Sequence, residues 1–180
     1  MEIMRQFYKL LQEDDRKLYA TIEKGHEFDF WEEDIYKLPL EYPYKLKMVN
    51  GELKDYTGSR IRPIFSKKLR DIINEFVGED EIEWIHLKVE SKDGSSLDDA
   101  YVPRFKPVPH MFDVLNEELT ILTSDGDIMV DRLSAEKTKD KHFIRLLENT
   151  LKNYVSQDLK KAMVKAKVTG VTYKKEKMYP

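Results

Sequence analysis

Two stretches of this chain keep a helical period, and the short strand-like runs around them follow no strict strand–helix–strand order. Ser66 to Val77 carries Leu69, Ile72, Ile73, Phe76 and Val77 at i, i+3, i+4, i+7 and i+8, a single apolar stripe. Ser66 is placed to cap that helix, its hydroxyl taking an orphan amide, and Gly78 to stop it. Ser156 to Ala166 reads as the second helix. Phe7-Tyr8-Lys9-Leu10-Leu11 and Leu18-Tyr19-Ala20-Thr21-Ile22 are short, aromatic and β-branched, which predicts strands. Tyr42, Tyr44, Leu46 and Met48 alternate with Pro43, Lys45, Lys47 and Val49, a half-buried strand, and Asn50-Gly51 then predicts a hairpin. Ile82 to Val89 changes phase: Ile82 and Trp84 are apolar on even numbers, Ile85, Leu87 and Val89 on odd ones. Either a bulge lies near Trp84 or the strand is buried on both faces.

Further along, Pro103, Pro107 and Pro109 argue against a central strand. A short helix from Pro109 to Glu117 would align Met111, Phe112 and Leu115. Ser124-Asp125-Gly126-Asp127 is a turn between Ile121-Leu122 and Ile128-Met129-Val130. Phe143-Ile144, Tyr154-Val155 and Val171 to Tyr173 are the remaining strand candidates, and the Lys-rich tail after Tyr173 is expected to fray. The mixture predicts an α+β fold with a mixed or mainly antiparallel sheet rather than a doubly wound one. With 180 residues, the chain suits one compact unit, 1–180. Within it, 1–60 is β-rich and 61–180 is α+β, with helices near 66–77 and 156–166.

An internal echo accompanies the helices. Ile64-Phe65-Ser66-Lys67-Lys68-Leu69-Arg70 and Tyr154-Val155-Ser156-Gln157-Asp158-Leu159-Lys160 each lead two apolar residues into a capping serine, then a leucine and a base. Each helix then runs toward an aliphatic and an aromatic two apart, Ile82 and Trp84 or Val171 and Tyr173. The pattern suits two similar strand–cap–helix–strand units, and it equally suits any junction at which a cap stops a strand and starts a helix.

Several function classes are excluded. The chain has no cysteine, which removes disulfides, thiol catalysis, iron–sulfur clusters and the common structural zinc sites. Its seven glycines are dispersed, so neither a dinucleotide nor a phosphate-binding glycine loop is present. No serine is framed as G-x-S-x-G. His26-Glu27 opens like a zinc-protease helix, but Phe30 stands where the second histidine is needed. The four histidines are scattered, and no catalytic, cofactor or metal set is expected. No apolar run approaches the ~18 residues that span a bilayer, and Met1 to Arg16 lacks a signal-peptide core. A cytoplasmic protein with no membrane partner is expected.

The net charge of −3 hides an asymmetry: residues 1–60, 61–130 and 131–180 carry −3, −7 and +7. Two surfaces stand out as partner-binding candidates. In the first, Trp31 is surrounded by Glu32, Glu33 and Asp34, an aromatic anchor among carboxylates that would steer a basic protein partner. The same aromatics, with Phe28 and Phe30, could instead be core with solvated carboxylates around them. In the second, Trp84 and His86 share a strand face, and Tyr42 and Tyr44 are expected on the same sheet; core packing explains these as readily. The alternatives are an enzyme and a nucleic-acid-binding accessory protein. Asp98-Asp99 and Asp125/Asp127 could serve acid–base or metal chemistry, but adjacent residues of a strand point to opposite faces. The second pair sits in a turn, where Met129 breaks a calcium-loop pattern. The basic segment, with Lys160, Lys161, Lys165 and Lys167, has few interleaved aromatics, so nucleic acid is not an expected partner.

Ordered motifs then carry a resemblance. Phe143-Ile144-Arg145-Leu146, Tyr154-Val155-Ser156-Gln157-Asp158-Leu159-Lys160-Lys161-Ala162 and Val168-Thr169-Gly170-Val171 resemble a bacterial family first catalogued as a domain of unknown function. That family was later placed among the immunity proteins of polymorphic toxin systems, as number eleven in the series. Ile64-Phe65-Ser66-Lys67-Lys68-Leu69 before Ile82-Glu83-Trp84-Ile85-His86-Leu87-Lys88-Val89 looks like its central helix and strand. Phe112-Asp113-Val114-Leu115 looks like the following short helix, and Phe7-Tyr8-Lys9-Leu10 and Lys54-Asp55-Tyr56 are similar to its N-terminal signposts. The chain departs at Val102-Pro103-Arg104-Phe105-Lys106-Pro107, where a smoother strand is expected. The resemblance implies a non-enzymatic cytoplasmic protein that binds and neutralises a cognate toxin domain encoded nearby. It brings no catalytic residues.

Overall fold

A computed structural model describes residues 5–13, 19–22, 24–26, 28–107, 109–149 and 152–180, with the side chain of Glu32 outside that description. The first strands are β1 (Phe7–Gln12), β2 (Tyr19–Thr21), β3 (Glu41–Asn50), β4 (Tyr56–Ser59) and β5 (Ile64–Phe65). Helix α1 (Lys67–Asn74) leads to β6 (Ile82–Glu90) and β7 (Leu97–Phe105), followed by a small hairpin of β8 (Ile121–Leu122) and β9 (Ile128–Val130). The chain ends with β10 (Phe143–Arg145), β11 (Asn153–Ser156), α2 (Gln157–Lys165) and β12 (Val171–Lys175). This is an α+β fold with mixed strand directions.

Six strands close a barrel in the order β2, β3, β6, β7, β5, β4. The β2–β4 and β3–β6 pairs are parallel and the others antiparallel. Ala20, Leu46, Met48, Ile64, Ile85, Leu87, Val89, Ala100 and Val102 fill it, with Phe30, Ile35 and Tyr42 in the same cluster. The second sheet is antiparallel, in the order β10, β11, β1, β12. Both of its faces are buried. Leu10, Phe143 and Val155 join α1, α2 and the outer barrel residues Phe65 and Ile82 in one core, and Phe7, Ile144 and Tyr154 join Leu115, Leu133 and Met178 in another.

Both helix starts follow from their serines. The amides of Leu69 and Leu159 donate to the hydroxyls of Ser66 and Ser156 at 3.1 and 3.2 Å. Each serine ends a strand run and each leucine docks at once in the shared core. The strands before the two helices lie in different sheets, β5 in the barrel and β11 in the open sheet.

The phase change in Ile82 to Val89 is resolved as burial on both faces. The β6–β7 register runs without interruption from Ile82 opposite Phe105 to Glu90 opposite Leu97. Ile82 and Trp84 pack outward beneath the helices, while Ile85, Leu87 and Val89 fill the barrel.

Five sequence expectations are corrected. Asn50-Gly51 makes no hairpin: β3 is already flanked by β2 and β6, so no edge is left for β4, and Gly51 turns the chain away with φ +67°. Pro103 lies inside β7, because β5 meets β7 only at Tyr101 and the edge beyond it can host a residue without an N–H. The first helix stops at Asn74, short of Gly78, as the amides of Phe76 and Val77 both turn back to the Ile73 carbonyl. Only a 3₁₀ turn, Met111–Asp113, forms where a helix to Glu117 was expected, since Leu115 bridges to Leu133 instead. The tail after Tyr173 is tied down: β12 pairs with β1 through Lys175, Met178 is buried and Tyr179 bridges to Ser134.

One glycine sets how close the barrel and the open sheet stand. Gly170 has φ +81°, and a Cβ there would lie 2.3 Å from the Tyr56 carbonyl oxygen. Beside it the Tyr56 amide donates to the Thr169 carbonyl at 3.1 Å. Gly126 also has positive φ, at +88°, but faces open space. Gly170→Ala is therefore expected to destabilise by more than the ~1 kcal/mol of backbone strain, and by clearly more than Gly126→Ala. Urea denaturation of the two variants measures the difference.

Candidate partner interface

The acidic–aromatic segment has no regular period, and tight turns decide which rings it buries. The Trp31 amide donates to the Phe28 carbonyl at 3.0 Å, and the Asp34 amide to the Trp31 carbonyl at 2.9 Å. The two turns throw Phe28 and Trp31 outward, 60% and 50% exposed, and turn Phe30 fully inward. Phe28 and Trp31 meet edge to face with ring centroids 5.0 Å apart. A 3₁₀ helix, Glu32–Lys37, follows and carries Glu33 and Asp34 on its exposed side, with Asp34 paired to Lys37 at 2.7 Å.

Polar contacts hold this irregular segment on the barrel. The Tyr42 hydroxyl donates to Asp29 Oδ2 at 2.7 Å, and His26 Nδ1 lies 3.1 Å from the same oxygen. Burial, then the Asp29 carboxylate, pushes the Tyr42 phenol well above its ordinary value. The His26 ring stacks on Tyr44 at 3.7 Å. From β7, Arg104 Nη1 donates to the carbonyls of Ile35 and Leu38 at 3.2 and 2.9 Å, while its Nε and Nη2 engage Glu83.

The outer barrel face continues this surface. The His86 amide donates to the Leu40 carbonyl at 2.7 Å. Its ring stands between two carboxylates, with Nδ1 2.5 Å from Glu41 and Nε2 2.5 Å from Asp99. Asp99 also pairs with Lys88, Tyr101 stacks on the His86 ring, and the Arg70 guanidinium lies over the Tyr101 ring at 4.1 Å. Desolvation opposes the charged imidazole, but Glu41 and Asp99 outweigh it and hold His86 above the ordinary histidine value. Next to Asp99 opens a groove of about 940 Å³, lined by Glu52, Asp55, Asp93, Asp98 and Asp99 against Lys54 and Lys92. Its carboxylate excess suits a basic occupant.

The residues singled out from sequence divide among these surroundings. Trp31, Glu33, Asp34 and Tyr44 are exposed, and the side chain of Glu32 lies outside the described residues. Tyr42 is buried, so its ring backs Tyr44 from beneath at 5.6 Å. Trp84 is half-buried beneath α1, its Nε1 donating to Asn74 Oδ1 at 2.8 Å. His86 lies on the outer face but draws in Glu41, Asp99, Tyr101 and Arg70, which the sequence pattern did not connect. Glu41 shares the level of His86 through the parallel β3–β6 pairing, and Tyr101 through the antiparallel β6–β7 pairing; neither register has a local signature. The basic C-terminal helix spends Lys160 on the rings of Tyr8 and Tyr173, at 3.7 and 5.5 Å. Among the described residues, no group of three or more acidic, histidine or cysteine side chains is arranged to hold a metal ion, and no helix is long and apolar enough to cross a membrane.

The model of the Immunity protein family (Imm11) matches residues 12–178 of the 180-residue chain, and the chain belongs to that family. No curated protein matches it.

The His86 arrangement has a pH signature. A histidine raised by folding contributes stability that is fully present below its unfolded value, 6.5, and is lost as pH rises through its folded one. His86→Gln is expected to lower Tm most near about pH 6, with the gap to the parent closing in mildly alkaline buffer. Thermal unfolding across pH, alongside NMR titration of the His86 ring, checks this; a gap that does not change with pH would contradict it.

Proposed function

We propose that this chain neutralises a bacterial toxin by binding it stoichiometrically, through the surface on which Phe28, Trp31 and Tyr44 stand exposed beside Glu33 and Asp34. Membership of an immunity family supports the class of activity. The observation that carries the surface is the Phe28–Trp31 pair, two large rings in mutual contact, at least half exposed, on a segment pinned by Arg104 and Asp29. Large apolar side chains held out in water are where an interface is sought first. The carboxylates beside them, and the chain of Glu41, Asp99 and the acidic groove beyond, suit a basic partner and would speed its approach.

In this reading the chain acts as one binding unit, and inhibition comes from occupancy, not turnover. The toxin is encoded in the same polymorphic-toxin locus and is met in the cytoplasm. The basic helix α2 is a solvated face rather than a nucleic-acid site. The first measurement is co-purification of the tagged protein from its native host at physiological salt, with mass spectrometry of what is retained. A single stoichiometric partner carrying a toxin domain supports the proposal; a clean preparation, with the neighbouring locus expressed, counts against it.

Trp31→Ala then tests the surface. It is expected to weaken toxin binding by about 30-fold or more, the cost of a truncated hot-spot ring, with the circular dichroism spectrum unchanged. Unaltered affinity would move the interface elsewhere, and loss of the folded spectrum would make Trp31 a structural residue.

A further inference from the structure

Two arginines lie in the interior between the barrel and the open sheet, and no carboxylate meets either of them among the described residues. Arg62, in the turn between β4 and β5, is 2% exposed, and Arg145, at the end of β10, is 4% exposed. The Arg62 backbone is locked by Ser59, whose hydroxyl accepts the Arg62 amide at 3.1 Å and donates to its carbonyl at 2.5 Å. Arg145 spends one donor, Nη1, on the Pro103 carbonyl at 2.9 Å. Among the described residues, Nε and Nη2 of both side chains are buried without a hydrogen-bond partner.

Both arginines line one small cavity, together with Tyr36, Pro103, Arg104 and Leu146. Arg104 is already committed to Glu83 and to two carbonyls. Asn153, opposite Arg145 in the β10–β11 ladder, donates its amide to the Tyr56 hydroxyl. The free volume is about 10 Å³, room for roughly one water-sized particle.

An arginine keeps its proton at neutral pH. Burial pushes Arg62 down only to about 10, and burial followed by the charge of Arg62 bears on Arg145 in the same direction. Two like charges thus stand in the interior with two nitrogens of each guanidinium, six N–H bonds in all, unspent, which the fold tolerates poorly unless something negative is present. A water would take hydrogen bonds but leave the charge uncompensated. A carboxylate, phosphate or sulfate is too large for the space.

We propose that a single small monovalent anion of halide size, chloride in the cell, binds between Arg62 and Arg145 and clamps the barrel to the open sheet. The donors without partners become its ligands, and the charge of one side chain from each sheet is offset by the same ion.

The full chain provides the test. Thermal unfolding is followed as sodium chloride replaces sodium gluconate at constant ionic strength, and crystals grown in sodium bromide are measured at the bromine absorption edge. Chloride is expected to raise Tm along a saturating curve, with the folding equilibrium constant increased about 100-fold when chloride reaches about 100 times its Kd. An anomalous bromide peak should lie within hydrogen-bond reach of both guanidinium groups. Arg62→Gln is expected to abolish the chloride dependence; should it not fold, the bromide peak in the parent protein still decides. Equal Tm in chloride and gluconate, or only water in the bromide crystals, would overturn the proposal.

Discussion

Asp55 is the carboxylate on which the barrel, the first helix and the open sheet meet. Its oxygens accept the Ser66 hydroxyl at 2.7 Å and the Thr169 amide and hydroxyl at 2.9 and 3.1 Å, and Lys68 pairs with it at 2.7 Å. Ser66 is also the cap of α1, and Thr169 precedes the glycine that lets the α2–β12 turn touch β4. One side chain thus serves three elements far apart in sequence. Desolvation disfavours its charge, but the donors from Lys68, Ser66 and Thr169 win and hold the carboxyl below its ordinary value. A carboxyl lowered in this way stabilises the fold above its unfolded value, and that contribution is lost as pH falls through the folded one. The short motifs containing Asp55, Ser66 and Thr169 are therefore parts of one joint.

What could be read from the sequence is what local physics decides. The stripe through Leu69 and Ile73 and the serines at 66 and 156 specify helix starts within one turn, and both formed as expected. The barrel was invisible for the opposite reason. Its closure needs Tyr19 beside Gly58 and Glu41 beside His86, two parallel pairings of distant segments that leave no trace in periodicity. The proline-broken stretch is a strand after all because β5 is too short to flank Pro103, a fact of the tertiary pairing that the local sequence does not carry. Asn50-Gly51 misled because a favourable turn says nothing about whether the strand before it already has two neighbours.

The candidate surface was legible only as a composition. Phe28, Phe30 and Trp31 are equally apolar, and a segment of consecutive tight turns has no period with which to sort them. Their fates are set by the turns that Trp31 and Asp34 close onto the Phe28 and Trp31 carbonyls. Those turns are held on the barrel by Tyr42 donating to Asp29 and by Arg104 donating to Ile35 and Leu38, contacts that need β3 and β7 in place. Arg62 and Arg145 were missed more completely. Arginine is expected at the surface, and only the packing of the barrel against the open sheet encloses both.

The charge asymmetry along the sequence becomes an asymmetry in space. The acidic middle of the chain builds much of the barrel, and the β6–β7 turn and the start of β7 leave Asp93, Asp98 and Asp99 around the groove. The basic C-terminal segment builds α2 and the edge strand β12, whose Lys174 and Lys175 are exposed on the other sheet. A basic partner would be drawn to the barrel side and repelled from the helix side, so orientation would be partly decided before contact. The aromatic segment lies on the attractive side, joined to it through Leu40, Glu41 and His86, and side-chain clamps hold it there. Its rings would thus meet a partner in a fixed arrangement, which lowers the ordering cost of association. The same contacts that keep an irregular segment folded hold its exposed rings in one arrangement.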